Sequence, residues 1–576
     1  MTKKLIIDIE TTALPVSKVW MVGTMELTTK SKRNFLKPYS ETSQIQEEID
    51  DVDIVIGHNI INFDRPVLEE HLGISFDNVQ VIDTLVLSRL FNPQLDGGHS
   101  LRAWGERLHF EKGDHDDWTK LSDEMIKYCE RDVEVTAKLY TTLCERLAQF
   151  PGESIELEHK VQEIVSQQER KGWVLDLEKA FDIQARLKQR SMEVEDEVHK
   201  RFTPLPVFVK EVHPKTKKDG SLSSVGLRFL GDDVDTVGGT FSRIDWPEFN
   251  LGSRQQIGRH LKFYGWKPSS FTEKGHAIVD ESILSEVDIP EAKLIAEYLL
   301  LQKRSAQVQS WIEAVEEDGR VHGRVNTIGA VTGRMTHSNP NMAQVPASYS
   351  PYGTECRECW TVPKGFKLVG VDASGLELRM LAHYMNDEEY THEVTNGDVH
   401  TANQKAAGLS TRDNAKTFIY AFLYGAGDAK IGSIVGGSRR DGAELKEKFL
   451  SNTPSLRTLR ERVIRATKRG HLRGLDGRRL IIRSEHAALN TLLQSAGAIV
   501  MKKALTILNE YAIIHGIDYS FVGNIHDEFQ VEVRETQAEK FGWLAVECIK
   551  AAGDRLDLRC PLDGEYKVGD NWAATH

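Results

Sequence analysis

Short runs of β-branched and aliphatic residues alternate along this chain with longer stretches whose apolar positions recur every three or four residues. LIIDIE (5–10) and DIVIGH (53–58) read as buried strands. VIDTLVLSRLF (81–91) and EMIKYCERDVEVTAKLYTTLCERL (124–147) read as helices, so residues 1–150 carry an α/β pattern. Pro151-Gly152 breaks that pattern and marks a boundary. Residues 153–200 read as long amphipathic helices interrupted near Gly172-Trp173. Between 203 and 250, VFVKEV, GLRFL and FSRIDW read as strands, with turns at Asp219-Gly220 beside Lys215, Lys217 and Lys218, and at Gly238-Gly239. Helix returns in AKLIAEYLLLQKRSAQVQSWIEAV (292–315), and from about 325 strands and helices alternate to the end. Two of those later runs, KLVGVDASGLELR and VGNIHDEFQVEV, place Asp372 and Asp527 at the end or turn of a buried strand.

At roughly 100–200 residues per domain, the length accommodates three to five domains. The net charge of −13 argues at first sight against a nucleic-acid partner. Carboxylates that hold metal add negative charge at such a site, so local patches matter more. Arg457 to Arg483 is dense in arginine and nearly free of acid, as a phosphate-tracking surface would be. The cysteines (Cys129, Cys144, Cys356, Cys359, Cys548, Cys560) are scattered, which fits reduced thiols. Cys356 and Cys359 form a CxxC without the second ligand pair a zinc site needs. The N-terminus has no signal-peptide core, and no apolar run reaches membrane-spanning length.

Candidate chemistry lies in carboxylates. Asp8 and Glu10 are two apart in a strand and project together, while Tyr128 and Asp132 are four apart on one helical face. With Asp64 after a strand and loop, four carboxylates and one phenol can converge. Hard divalent cations want such oxygen ligands, and two of them can activate a water against a phosphodiester. Tyr128 could orient that water. A lone D-x-E is more often a cap or a surface ion pair. The ordered set of D-x-E, N-x-x-x-(F/Y)-D and Y-x-x-x-D is far more specific, and it resembles the proofreading 3′→5′ exonuclease of the DEDDy class, with its ribonuclease H-like fold.

Between Asp372 and Asp527, TRDNAKTFIYAFLYGAG sets Arg412, Lys416, Tyr420 and Tyr424 four residues apart, so a helix stacks them on one face. Gly425 and Gly427 end that helix or permit close approach. Alone this is an ordinary amphipathic helix. DASGLELR, the R-x-x-x-K-x-x-x-x-x-x-x-Y-G run from Arg412 to Gly425, and His526-Asp527-Glu528 together resemble motifs A, B and C of family A DNA polymerases, the bacterial polymerase I type. The similarity is strongest to the replicative enzymes of short-tailed phages of the T-seven type. AVTGRMTHSNPNMAQVP, NGDVHTANQ, NTLLQSAGA and the closing GDNWAATH extend it from Asp8 to His576, weakening only in 200–250.

The resemblance implies an α/β multidomain chain. Its exonuclease domain would be 1–150. The rest would be a right hand: a helical thumb at 151–325 with the β-rich insertion, a palm of antiparallel sheet at 326–388 and 487–576, and helical fingers at 389–486. It implies a template-directed DNA polymerase using primer–template DNA and deoxynucleoside triphosphates, with two Mg2+ per active site, for which Mn2+ can substitute. Asp372, Asp527 and Glu528 would be metal-site carboxylates, and Ala373 would lend a backbone carbonyl. Asp8, Glu10, Asp64 and Asp132 would be the exonuclease ligands. One polymerase ion would lower the pKa of the primer 3′-hydroxyl, and the other would clamp the triphosphate. Arg412, Lys416 and His400 would contact the β- and γ-phosphates, and Lys416 would protonate the leaving pyrophosphate. Glu377 would exclude a 2′-hydroxyl, Tyr424 would pack near the templating base, and Tyr420 would favour dideoxynucleotide use. Arg334, Gln344 and Gln494 would read minor-groove acceptors that every pair presents alike. His526 would touch the primer-terminal phosphate.

The chain also departs from that family. With Asp8 so early, no 5′→3′ nuclease domain is expected ahead of it, which would favour replication over repair. The 203–250 insertion is shorter than the basic segment with which related phage enzymes recruit host thioredoxin, and Asp232, Asp233 and Asp235 offset its lysines. Thioredoxin is not an expected partner; the insertion is expected to touch DNA or another partner directly. A phage helicase-primase and single-strand binding protein are further partners by resemblance. So are a monomeric state and the cytoplasm of an infected bacterium, with no membrane. The rivals are an exonuclease, or a DNA-binding scaffold, with an inactive polymerase half; the intact carboxylates argue against both.

Overall fold

The computed structural model describes residues 2–213, 215, 217–219, 221 and 240–576. They form two compact units, Met1–Leu175 with Ala314–His576, and Asp176–Glu313.

The first unit begins with a five-stranded sheet in the order Lys32–Phe35, Val19–Glu26, Lys4–Thr11, Ile54–Gly57, Gln80–Asp83. The first three strands are antiparallel and the last two join in parallel. The crossover that the final parallel step needs contains the helix Asp64–Leu72. Lys4–Thr11 is central, which is why LIIDIE is an unbroken apolar run apart from its acids. Val19–Glu26 carries no alternation that marks a strand, because Val19, Met21, Val22 and Met25 are buried on both of its faces. Residues 81–83 are strand rather than helix. The Asp83 side chain caps the Leu85 amide and starts the helix only at Thr84.

The helix Asp123–Arg146 packs on this sheet, capped by Ser122 with Asp123 and Glu124 in its first turn. Its approach is close. A Cβ on Gly23 would lie 2.7 Å from Cys129 Sγ, so that strand position needs glycine. The helix Gly152–Lys171 follows, and the break at Gly172-Trp173 is a short strand, Trp173–Leu175, paired with Trp360–Thr361 and Arg320–Val321.

A second sheet has the order Tyr519–Ile525, Glu528–Arg534, Phe366–Ala373, Gly564–Gly569, every neighbour antiparallel. The helices Ala488–Ile514 and Ala538–Arg555 pack together beside it. The stretch Glu485–Ile514 is long and apolar enough to span a bilayer, which the run lengths in the sequence did not suggest. Its apolar window is 78% buried within the protein, so it is a core helix here. The arginine-dense segment forms the helix Pro454–Thr467 and the hairpin His471–Arg473/Arg479–Ile481. Arg460, Arg462, Arg465, Lys468, Arg469 and Arg479 are exposed. Arg478 is not part of that surface: it is buried and bonded to Glu158 (2.5 Å) and Asp476, while Lys502 donates to Glu158 at 2.8 Å.

In the second unit the helices Leu177–Arg201 and Pro290–Glu313 pack together, and Arg190 forks onto Glu297 at 2.7 and 3.1 Å. VFVKEV and FSRIDW form a hairpin, Val207–Val212 with Phe241–Asp245. Phe208, Val209, Ile244 and the following Trp246 are exposed. GLRFL, Gly220, Asp232, Asp233, Asp235 and Gly238-Gly239 lie outside the described residues.

Candidate active site

The two acidic sets form two clusters in the first unit. In the second sheet, Asp372 ends Phe366–Ala373 and is paired directly with Glu528 on one side and Glu565 on the other. Opposed residues project to the same face, so these carboxylates form a row. Asp527 sits in the two-residue turn between Ile525 and Glu528, preceded by His526 at φ +56°, a left-handed conformation rare for a non-glycine. The Ala373 amide donates to the Asp527 carbonyl at 3.1 Å, which fixes strand end and turn together. Desolvation by the surrounding protein, then the Glu528 and Asp527 charges, push the Asp372 carboxyl up to about 7. Arg334 Nη2 approaches Asp527 Oδ1 at 3.7 Å.

Glu528 differs from its neighbours. Trp572 Nε1 donates to it at 2.8 Å, Gln530 donates to the same oxygen, and His576 Nδ1 meets the other at 3.3 Å. It is buried, which alone would raise its pKa, yet these bonds hold it below the ordinary value. These contacts tie Trp572 and His576 of the C-terminal segment to the residue paired with Asp372.

In the N-terminal cluster Glu10, Asp64 and Asp132 are buried and Asp8 is half-buried. Burial first, then the Asp132 charge, pushes Glu10 up to about 8. Burial raises Asp64 to about 7, and burial with the Asp132, Glu10 and Asp64 charges raises Asp8 well above its usual range. Glu10 Oε1 and Asp132 Oδ1 are buried without hydrogen-bond partners among the described residues. An all-oxygen set with mutual repulsion and orphaned oxygens fits a hard divalent cation. Cys129 Sγ lies 3.7 Å from Asp8 Oδ2, and without a metal burial pushes its thiol well up.

The helix Arg412–Leu423 carries Arg412, Lys416 and Tyr420, and Tyr424 closes its C-terminus. Gly425 follows at φ +77°; a Cβ there would sit 2.5 Å from the His486 carbonyl. Tyr424 Oη donates to Glu377 at 2.9 Å, and its ring lies 6.3 Å from that of Tyr420. Burial raises the Glu377 pKa, and its other oxygen is buried without a partner among the described residues. His400, in Val399–Ala407, lies 6.3 Å ring-to-ring from Tyr420. Lys416 is exposed. Gln344 is exposed on the short turn Met342–Gln344, and Gln494 is half-buried on Ala488–Ile514.

Residues 230–574 match the family model for DNA polymerase family A. The chain belongs to that family. It is 36% identical to the DNA-directed DNA polymerase of Escherichia phage T7, over 91% of this chain and 92% of that one. It is 35% identical to the DNA-directed DNA polymerase of Enterobacteria phage T3, over 92% and 94%. Its fold matches the POL domain of Pol1 from M. smegmatis, solved in complex with DNA primer-template and dNTP. The TM-score is 0.80 at 19% identity, covering 100% of this chain and 96% of that one.

Three residues that the sequence reading passed over stand out in this family A polymerase. Lys112 contacts Asp132 and lies 4.4 Å from the Tyr128 ring centroid. Burial lowers its pKa, but Asp132 and Asp8 more than compensate, so its ammonium stays charged inside the N-terminal cluster. Asp83 accepts from the Asn59 and Ile61 amides at 2.8 and 3.2 Å, shaping the loop that delivers Asp64. Asp398 accepts a fork from Arg412 at 2.8 and 3.1 Å. Asp83-Thr84 at a strand end is a capping signal that sequence could have offered. Lys112 and Asp398 act across loops, where spacing carries no signal.

Proposed function

We propose that this family A polymerase extends a primer 3′ end along a DNA template at the Asp372/Asp527 cluster. We read the Asp8/Glu10/Asp64/Asp132 cluster as a proofreading 3′→5′ exonuclease. On this reading 1–150 is the exonuclease, 151–325 the thumb, 326–388 with 487–576 the palm, and 389–486 the fingers. Asp372 and Asp527 would hold Mg2+, or Mn2+, with the Ala373 carbonyl nearby. Bound metal would supply the charge that activates the attacking hydroxyl and stabilises the leaving oxygen.

The remaining roles belong to side chains. Arg412, His400 and Lys416 bind the triphosphate, and Lys416, the exposed ammonium, gives a proton to the departing pyrophosphate. The Tyr424 hydrogen bond holds the Glu377 carboxylate where a 2′-hydroxyl would have to fit. Tyr420 supplies a hydroxyl to the incoming nucleotide. Arg334, Gln344 and Gln494 face minor-groove acceptors, and His526 the primer-terminal phosphate. In the N-terminal cluster, Tyr128 orients the attacking water, with its ring fixed against Lys112 and Trp118. Replication of phage DNA in a bacterial cytoplasm is the setting this reading favours.

The observation that carries the reading is the direct pairing of the Asp372 strand with the strand leaving the Asp527 turn. The test uses an end-labelled primer–template in Mg2+ without nucleotides. Asp8→Ala/Glu10→Ala should abolish primer shortening and leave extension intact when nucleotides are added. Shortening that survives the double substitution would exclude the N-terminal cluster as its source.

A further inference from the structure

Asp398 is placed where two helices begin. It caps Val399–Ala407, accepting from the His400 and Thr401 amides at 3.1 and 3.3 Å and from the Thr401 hydroxyl at 2.7 Å. Its two oxygens also receive Nε and Nη2 of Arg412, the first residue of Arg412–Leu423. One carboxylate therefore ties the backbone of His400 to the guanidinium of Arg412. The Arg412 hydrogen bonds hold the Asp398 carboxyl well below its usual range, so it is ionised in any working buffer.

We infer that Asp398 is a positioning residue for triphosphate binding: it fixes the Arg412 guanidinium and the His400 backbone in one arrangement before the nucleotide arrives. This rests on the reading of Arg412 and His400 as phosphate contacts. A guanidinium has five N–H donors, and the fork uses only those on Nε and one on Nη2. Both donors on Nη1 stay available for a phosphate, so Asp398 and a triphosphate can hold the arginine together rather than compete for it. A free arginine would lose its rotamer freedom on binding; the fork removes most of that loss in advance. The pair is solvent-exposed, 51% for Arg412 and 43% for Asp398. Exposed ion pairs contribute little to stability, so the effect should appear in nucleotide binding and not in folding.

The test is a double-mutant cycle on the full chain, with KM for the incoming deoxynucleotide and kcat measured for single-nucleotide insertion. Asp398→Asn keeps an oxygen that caps the helix and loses the charge, and Asp398→Ser does the same with a hydroxyl. Either should raise KM roughly five- to tenfold, with kcat and the melting temperature unchanged. In an Arg412→Ala background the same substitutions should have no further effect on KM. Equal KM for Asp398→Asn and the parent, or additive effects with Arg412→Ala, would overturn the positioning role. An Arg412→Ala enzyme with unchanged KM would overturn the phosphate-contact reading itself, and the inference with it.

Discussion

The Ala373 amide donates to the Asp527 carbonyl at 3.1 Å, so the scaffold holding Asp372 and Asp527 together is closed by backbone and not by their side chains. The carboxylates can then be removed without loosening that scaffold. Asp372→Ala and Asp527→Ala should each cut primer extension by a factor on the order of 10³ or more. Their thermal midpoints in chelator should equal or exceed the parent's, because a repelling charge is gone. A midpoint well below the parent's would show the side chains to be structural.

The raised carboxylates set a pH dependence with a definite sign. Folded Glu10 titrates at about 8, and Asp64 and Asp372 at about 7, against ordinary values of 4.5 and 3.8. Over that range the folded chain keeps protons the unfolded chain has lost, so stability falls as pH rises. Buried His58 (about 3) and His337 (about 4) act oppositely, but only below their ordinary value of 6.5. In chelator the melting temperature should therefore drop from pH 6.5 to 8, and Asp8→Asn/Glu10→Gln should flatten the slope. Added Mg2+ should restore most at pH 8. A midpoint that climbs across this window would contradict the clustering.

Tyr420 is half-buried, with its ring 6.3 Å from those of His400 and Tyr424. On the proposed function its hydroxyl would take the place of the one a dideoxynucleotide lacks. Tyr420→Phe should reduce terminator incorporation relative to the natural nucleotide by roughly 10- to 100-fold, the worth of one buried hydrogen bond. Chain-termination assays on both enzymes measure the ratio, and equal ratios would remove Tyr420 from the nucleotide site.

Glu158, with no exposed surface, accepts from both Arg478 and Lys502. Burial pulls Lys502 down to about 8, with the Glu158 charge opposing it. Removing the shared anion leaves two buried cations facing each other. Glu158→Ala should cost about 3–5 kcal/mol in urea denaturation. A loss below about 1 kcal/mol would mean that the cations escape to water.

The hairpin Val207–Val212/Phe241–Asp245 leaves Phe208, Ile244 and Trp246 exposed. An enzyme lacking 205–245 should extend single primers at the normal rate but dissociate sooner. Product lengths under a DNA trap report this, and unchanged lengths would make the insertion dispensable for processivity.

The helix Arg412–Leu423 and both aspartate-bearing strands fall where period and turn residues place them. Val19–Glu26 was not legible, because a strand buried on both faces has no alternation to read. The arginine-dense segment misled at Arg478, since composition cannot show that one of many cations turns inward to Glu158. The aspartates could be found as motif residues. Lys112 and Asp398, which shape their surroundings, could not, because each acts through contacts made only by the folded chain.

The central claim is that Asp372 and Asp527 form one site for template-directed synthesis. The most direct measurement is extension of an end-labelled primer–template in Mg2+ with all four deoxynucleotides, comparing the parent with Asp372→Ala. The parent should give full-length product, and the variant no extension with retained primer shortening. Full-length product from Asp372→Ala would contradict that claim.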